Sequence, residues 1–185
     1  TLVNPGPVAP YTGMLPVHIA GHYPRDALMI DLVRLAAAAG ARLILGRATG
    51  LDPARRQIAV EGWGDVGYDA ASLDIGIGSG LPDLPGFAEH GVAAKPLDAY
   101  AERWQAFLAK DLPDPHVTVI GAGAGGVELA LAMAFRLQGL GRTPRITLVE
   151  AASPLREVGA AARAALLARL GAAGIDLRSG AAPLR

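Results

Sequence analysis

An α/β protein with a mainly parallel sheet is what the sequence predicts, on three observations. Short runs rich in Val, Ile and Leu alternate with Ala/Leu-rich stretches of helical period, the order expected of strand–helix–strand units. The tetrapeptides TLVN (1–4) and TLVE (147–150) nearly repeat, each reading as the end of a buried strand. A glycine cluster joins the run VTVI (117–120) to an Ala/Leu-rich stretch.

Taken in order, residues 1–3 are a strand remnant, and the Pro-, Gly-, His- and Tyr-rich residues 5–25 form an ordered loop. A helix is expected from Asp26, as N-cap, to Ala39, with Gly40 as its stop. ARLILGRA (41–48) is a strand. RRQIAVEG (55–62) and residues 65–69 make a small antiparallel hairpin or meander around the turn GWGD (62–65). ASLDIGIGS (71–79) is a further buried strand, followed by a Pro/Gly-rich stretch, 79–91.

The run LDAYAERWQAFLAK then places Leu97, Tyr100, Ala101, Trp104, Phe107 and Leu108 on one helical face. KDLPDPH (110–116), with two prolines in seven residues, divides the chain into domains at 1–112 and 113–185. Beyond it the pattern is strand 117–120, helix 125–138, strand 146–149, helix 155–170 and a strand near 175–178.

Composition narrows the function classes. Of 185 residues, 51% are hydrophobic, enough for a sizeable core. Seventeen basic residues balance seventeen acidic ones, which argues against nucleic-acid binding or charge-driven membrane attachment. There is no cysteine, so this segment carries no disulfide, thiolate metal site or dithiol chemistry, and a reducing, cytoplasmic setting is compatible. Residues 117–135 have the length and apolarity of a membrane span, but the glycines divide them into strand, loop and helix. No transmembrane segment is therefore expected.

VTVIGAGAGGVELA (117–130) is the principal motif. Gly121, Gly123 and Gly126 fit G-x-G-x-x-G, after a β-branched strand and at the start of a helix. The first glycine allows a tight turn, the second lets backbone approach a pyrophosphate, and the third brings helix close to strand. The helix N-terminus adds free N–H groups and partial positive charge. Gly121, Ala122, Gly123, Ala124, Gly125 and Gly126 are accordingly the expected NAD(H) loop. Glu150 ends the next strand, where an acid accepts hydrogen bonds from the adenosine ribose and repels a 2′-phosphate, favouring NAD(H) over NADP(H). The alternative is a tight strand–helix turn without a ligand, with Glu150 a solvated surface acid. Glu128 falls early in the helix, where its charge favours the helix dipole.

The stretches YTGMLPVHIAGHY from Tyr11, YDAASLDIGIGS from Tyr68 and LPGFAEHGVAAKP (84–96), followed by GAGAGGVELA, carry a resemblance. In that order they resemble the pyridine nucleotide–disulfide oxidoreductase superfamily, flavoproteins with two dinucleotide-binding domains. Within it the chain looks most like the type II NADH dehydrogenase branch, and in particular resembles the flavoprotein sometimes found fused in front of selenide, water dikinase.

The resemblance implies a Rossmann-like FAD/NAD(P)-binding fold with an NAD(H) domain inserted into an FAD domain. It implies FAD contacts at Asn4, Tyr11, Met14, Leu15, Ala48, Gly78 and Ser79, and places Glu128 near the nicotinamide and flavin rings as the tentative catalytic residue. The first glycine fingerprint of the superfamily is expected upstream of Thr1, and its later FAD and C-terminal segments downstream, so the chain reads as a central fragment incomplete at both ends. Its Cys-x4-Cys is absent and Asn4 replaces the usual acid.

The activity implied is hydride transfer from NADH to FAD and on to an acceptor such as a quinone, with the parent protein cytoplasmic or peripheral to a membrane. A non-catalytic dinucleotide-binding module, or a fragment without activity of its own, is the alternative. An exposed strand edge would favour a homodimer.

Other constellations are weaker. His18 and His22 stand four apart, but Gly21, Pro16 and Pro24 argue against a regular helix and no acid completes a metal set. The motifs of short-chain dehydrogenases, G-x-S-x-G hydrolases and nucleoside triphosphate loops are absent. Lys95, before Pro96, is placed to touch a cofactor phosphate but reads first as a solvated lysine at a helix start, and Trp63 and Trp104 read as turn and core packing.

Overall fold

The computed structural model describes residues 1–76 and 86–180. The chain forms two compact units, Thr1–Tyr11 with Asp26–Ile77, and Thr12–Arg25 with Gly78–Arg185.

In the first unit, β1 (Leu2–Asn4) pairs in parallel with β4 (Leu43–Leu45), Val3 opposite Ile44. β2 (Val8–Pro10) pairs antiparallel with β3 (Met29–Asp31). Helix α2 (Leu32–Ala38) follows β3. A meander of β5 (Ala48–Asp52), β6 (Gln57–Val60) and β7 (Gly64–Gly67) completes the unit. Leu28, Leu32, Ala36, Ile44 and Val60 are its buried apolar residues.

Several expectations are corrected here. The helix after the Pro-rich loop begins at Leu32, and Asp31, not Asp26, is its N-cap, accepting the Arg34 N–H at 3.0 Å. Residues 29–31 are drawn out of the helix because their backbone groups pair with β2. The strand expected over 41–48 is shorter: its pairing with β1 ends at Leu45, where the Gly46 N–H closes the ladder on the Asn4 carbonyl at 3.0 Å, and Ala48 starts the meander. Residues 71–76 form no strand; 77–85 lie outside the described residues. The GWGD turn is present, with Trp63 55% exposed, its indole N–H on the Leu45 carbonyl and the Arg42 guanidinium over its ring.

The second unit contains α1 (Leu15–Ile19), α3 (Phe87–His90) and α4 (Leu97–Leu108). Its core is a parallel sheet, β10–β9–β8, made from β8 (His116–Ile120), β9 (Arg145–Glu150) and β10 (Asp176–Ser179). Helix α5 (Ala124–Gly139) joins β8 to β9, and α6 (Ala160–Ala172) joins β9 to β10. Val119 faces Leu148, and Leu148 faces Leu177, across the ladder. Val127, Ala130, Ala134 and Leu137 make the buried stripe of α5, at i, i+3, i+7 and i+10.

Two readings change in this unit as well. The expected loop around His18 contains α1, because Pro16 falls in the first helical turn, where its missing N–H costs no hydrogen bond. The last helix starts at Ala160 rather than 155; Leu155 adopts φ +53° and holds the chain in a loop. On α4, Leu97, Tyr100, Ala101 and Trp104 are buried as patterned, and the Trp104 indole donates to the Ile19 carbonyl at 3.2 Å.

Candidate dinucleotide site

The glycine loop is built by the end of β8, the turn 121–123 and the start of α5. Gly121 stands at φ +100°, a conformation side chains rarely adopt, and its N–H bonds the Val149 carbonyl of the next strand at 2.8 Å. Gly126 is required for a different reason. A Cβ there would collide with the Gly121 carbonyl oxygen and approach Val119 Cγ1 at 3.7 Å, so only glycine lets α5 start this close to β8. Gly125 and Ala124 are exposed, and a Cβ at Gly125 would meet nothing within 4 Å. Ala122 is fully buried.

Glu150, the last residue of β9, reaches back to this loop. Its Oε2 accepts the Ala122 N–H at 2.8 Å and its Oε1 the Ala152 N–H at 2.9 Å. These amides, Ala152 first and Ala122 second, hold the carboxyl below the usual carboxylate range; Arg156 adds in the same direction. The acid is thus charged, oriented and fixed to the loop.

A second acid meets the same loop, and the sequence reading does not anticipate it. Residues 151–159 fold over the glycines instead of starting a helix. Leu155, 1% exposed, sends its N–H to the Ala122 carbonyl at 2.8 Å. Glu157 Oε1 accepts the Ala124 N–H at 2.8 Å, at the opening of α5. Its own backbone N–H and that of Ala124 hold this carboxyl low as well. Only the fixed spacing of Glu157 after Glu150 was available as a signal, and a helix assigned from 155 hides it.

The remaining predicted residues divide between the units. Asn4, Tyr11 and Ala48 belong to the first, Met14 and Leu15 to the second; Gly78 and Ser79 lie outside the described residues. Asn4 commits its side-chain N–H to the Gly6 carbonyl at 2.7 Å, which leaves Oδ1 as its acceptor. Tyr11 is exposed, whereas Leu15 is buried at 7% exposure. Glu128 is exposed on α5. His18 is buried on α1, its Nδ1 3.0 Å from the Tyr23 carbonyl. It lines a cavity of about 470 Å³ together with His22, Arg25, Trp104 and Arg136, which shares no residue with the glycine loop.

The pyridine nucleotide-disulphide oxidoreductase family model matches residues 1–185. The chain belongs to that family. Its fold is shared with solved structures of other proteins. Against the ferredoxin reductase for the CYP199A2 system from Rhodopseudomonas palustris, the TM-score is 0.75 at 20% identity, covering 97% of this chain and 43% of that one. Plasmodium falciparum NDH2, solved with NADH, gives a TM-score of 0.77 at 14% identity, over 96% and 42%. The water-forming NADH oxidase from Lactobacillus brevis, bound to NADH, gives 0.65 at 21%, over 96% and 40%. This member of the pyridine nucleotide-disulphide oxidoreductase family therefore spans about two fifths of these relatives. No match was found among curated proteins. Among the described residues, no helix is long and apolar enough to cross a membrane.

Proposed function

We propose that the chain is the nucleotide-handling part of an FAD-dependent NAD(P)H oxidoreductase that prefers NADH. The observation that carries this reading is the Glu150 carboxylate, fixed by the Ala122 amide at the mouth of a loop that only Gly126 can close. In this reading Gly121–Gly126 bind the dinucleotide phosphates and Glu150 accepts the ribose hydroxyls. Residues 113–185 serve NAD(H), and residues 1–112 serve FAD through Asn4, Tyr11, Met14, Leu15, Ala48, Gly78 and Ser79. Glu128 is assigned to the ring end of the site. When bound, the cofactors supply the redox chemistry, a hydride passing from NADH to flavin and the electrons then to an acceptor such as a quinone. The protein binds and orients them. We place the reaction in the cytoplasm, and in the parent protein peripheral to a membrane; this chemistry needs no dithiol from the cysteine-free chain. β8 pairs on one side only among the described residues, which supports homodimerisation through that edge.

The test is the visible spectrum of the purified chain with FAD and then NADH. A flavin band bleached by NADH supports the oxidoreductase. A colourless chain that still binds NADH, with binding weakened about ten- to a hundredfold by Glu150→Ala, would make it a dinucleotide-binding module. No binding of either cofactor would sink both readings.

A further inference from the structure

We propose that Glu157 is an internal stand-in for the dinucleotide pyrophosphate, seated on the α5 N-terminus in the free protein and displaced when the dinucleotide binds. The inference rests on the reading of Gly121–Gly126 and Glu150 as the NAD(H) site.

Three observations carry it. First, Glu157 Oε1 takes the N–H of Ala124, the first residue of a sixteen-residue helix and a donor that a bound phosphate would use. Second, Gly123 is the glycine whose bare face permits backbone approach to a pyrophosphate, and that face is covered by the same oxygen: a Cβ on Gly123 would stand 3.0 Å from Glu157 Oε1. Third, the carboxylate does not arrive there on a loose strap. Leu155, two residues earlier, is buried, left-handed at φ +53° and bonded to the Ala122 carbonyl, so the loop that delivers Glu157 is anchored on the glycine loop itself.

An anion and a carboxylate cannot share one N–H donor and one uncovered glycine face. A phosphate entering here meets a filled hydrogen-bond site and a covered glycine face. Glu150 presents no such conflict, because its bonds to Ala122 and Ala152 lie at the ribose end and can persist beside a bound nucleotide. The two acids therefore have opposite roles at one site: Glu150 contributes to binding, and Glu157 opposes it.

The test titrates the whole chain with NADH and, separately, with adenosine, which lacks phosphate, by calorimetry. Glu157→Ala should bind NADH about three- to tenfold more tightly than the unaltered chain, the size of effect expected when a helix-cap hydrogen bond no longer has to be given up. Adenosine binding should stay unchanged. Glu157→Asp keeps the charge but is one methylene too short to reach Ala124 from an anchored loop, so it should also tighten NADH binding. Unchanged or weaker NADH binding in Glu157→Ala overturns the proposal and leaves the NAD(H) site standing. Tightening in Glu157→Ala but not in Glu157→Asp assigns the effect to charge repulsion and likewise overturns it. If neither the chain nor its variants bind NADH, the site assignment falls and this inference with it.

Discussion

At Gly126 a missing side chain is what brings helix and strand together, and neighbouring glycines with different surroundings give a direct comparison. Gly126→Ala would force Cβ against the Gly121 carbonyl and should destabilise the chain by about 1–3 kcal/mol, as overpacking does, with loss of NADH binding. Gly125→Ala adds a methyl group in open space within a helix and should stabilise by about 0.5–1 kcal/mol. Thermal unfolding of both variants checks the pair; equal melting temperatures would refute the packing argument. Glu150 makes a pH prediction. Folding lowers its pKa, so its contribution to stability is present above the unfolded carboxylate value, about 4.3, and fades as pH falls through the lower folded value. The stability difference between the chain and Glu150→Gln should therefore shrink on acidification below about pH 4. Denaturant titrations that give a constant difference down to acid unfolding would count against it.

Helix α4 carries the prediction for the element scale. Burial pushes the Tyr100 phenol up to about 12. The unfolded phenol titrates near 10, so stability is fully present below about pH 10 and is lost as pH rises from there through the folded value. Tyr100→Phe has nothing to ionise and should lose less stability over that range than the unaltered chain; parallel losses would argue against a buried neutral phenol. The same scale shows what was legible in the sequence. Strand β8, the glycine loop, α5 and β9 could be read because periodicity, glycine spacing and a terminal acid agree there. The α4 stripe could be read for the same reason, through Trp104 at i+3 from Ala101. What could not be read depended on partners distant in sequence. Residues 29–31 carry no strand signature and become one only against β2. Leu155 has ordinary helix propensity, but the Ala122 carbonyl and a buried site hold it left-handed. The helix at His18 is hidden in the sequence because Pro16, beside Gly21 and Pro24, carries the signature of a breaker, whereas in the fold it sits in the first helical turn.

For the whole molecule, family membership rests on a match along all 185 residues, while the solved relatives establish the fold. The parallel order β10–β9–β8 is the 3-2-1 half of a dinucleotide fold, and the candidate site lies at the carboxyl ends of β8 and β9, the end such sheets use for ligands. The charge balance and the one-sided pairing of β8 set the expectation for association. Ile120 at the end of that strand and Phe135 on α5 are exposed. Sedimentation velocity should show a dimer that grows with protein concentration and persists in high salt, since apolar and backbone contacts are little screened. A monomer at all concentrations would remove the dimer from the proposal.

Ala122 is clasped from both sides of its backbone, its N–H by Glu150 and its carbonyl by Leu155. In amide hydrogen exchange, the Ala122 proton should thus be slow in the free protein, although it belongs to a turn. The Gly125 amide, one residue further along the helix opening than Ala124, should be fast. Adding NADH should then slow Gly125 while leaving Ala122 nearly as it was. The loop would thereby carry its own clock, one amide recording whether it is folded and a neighbour recording whether it is occupied.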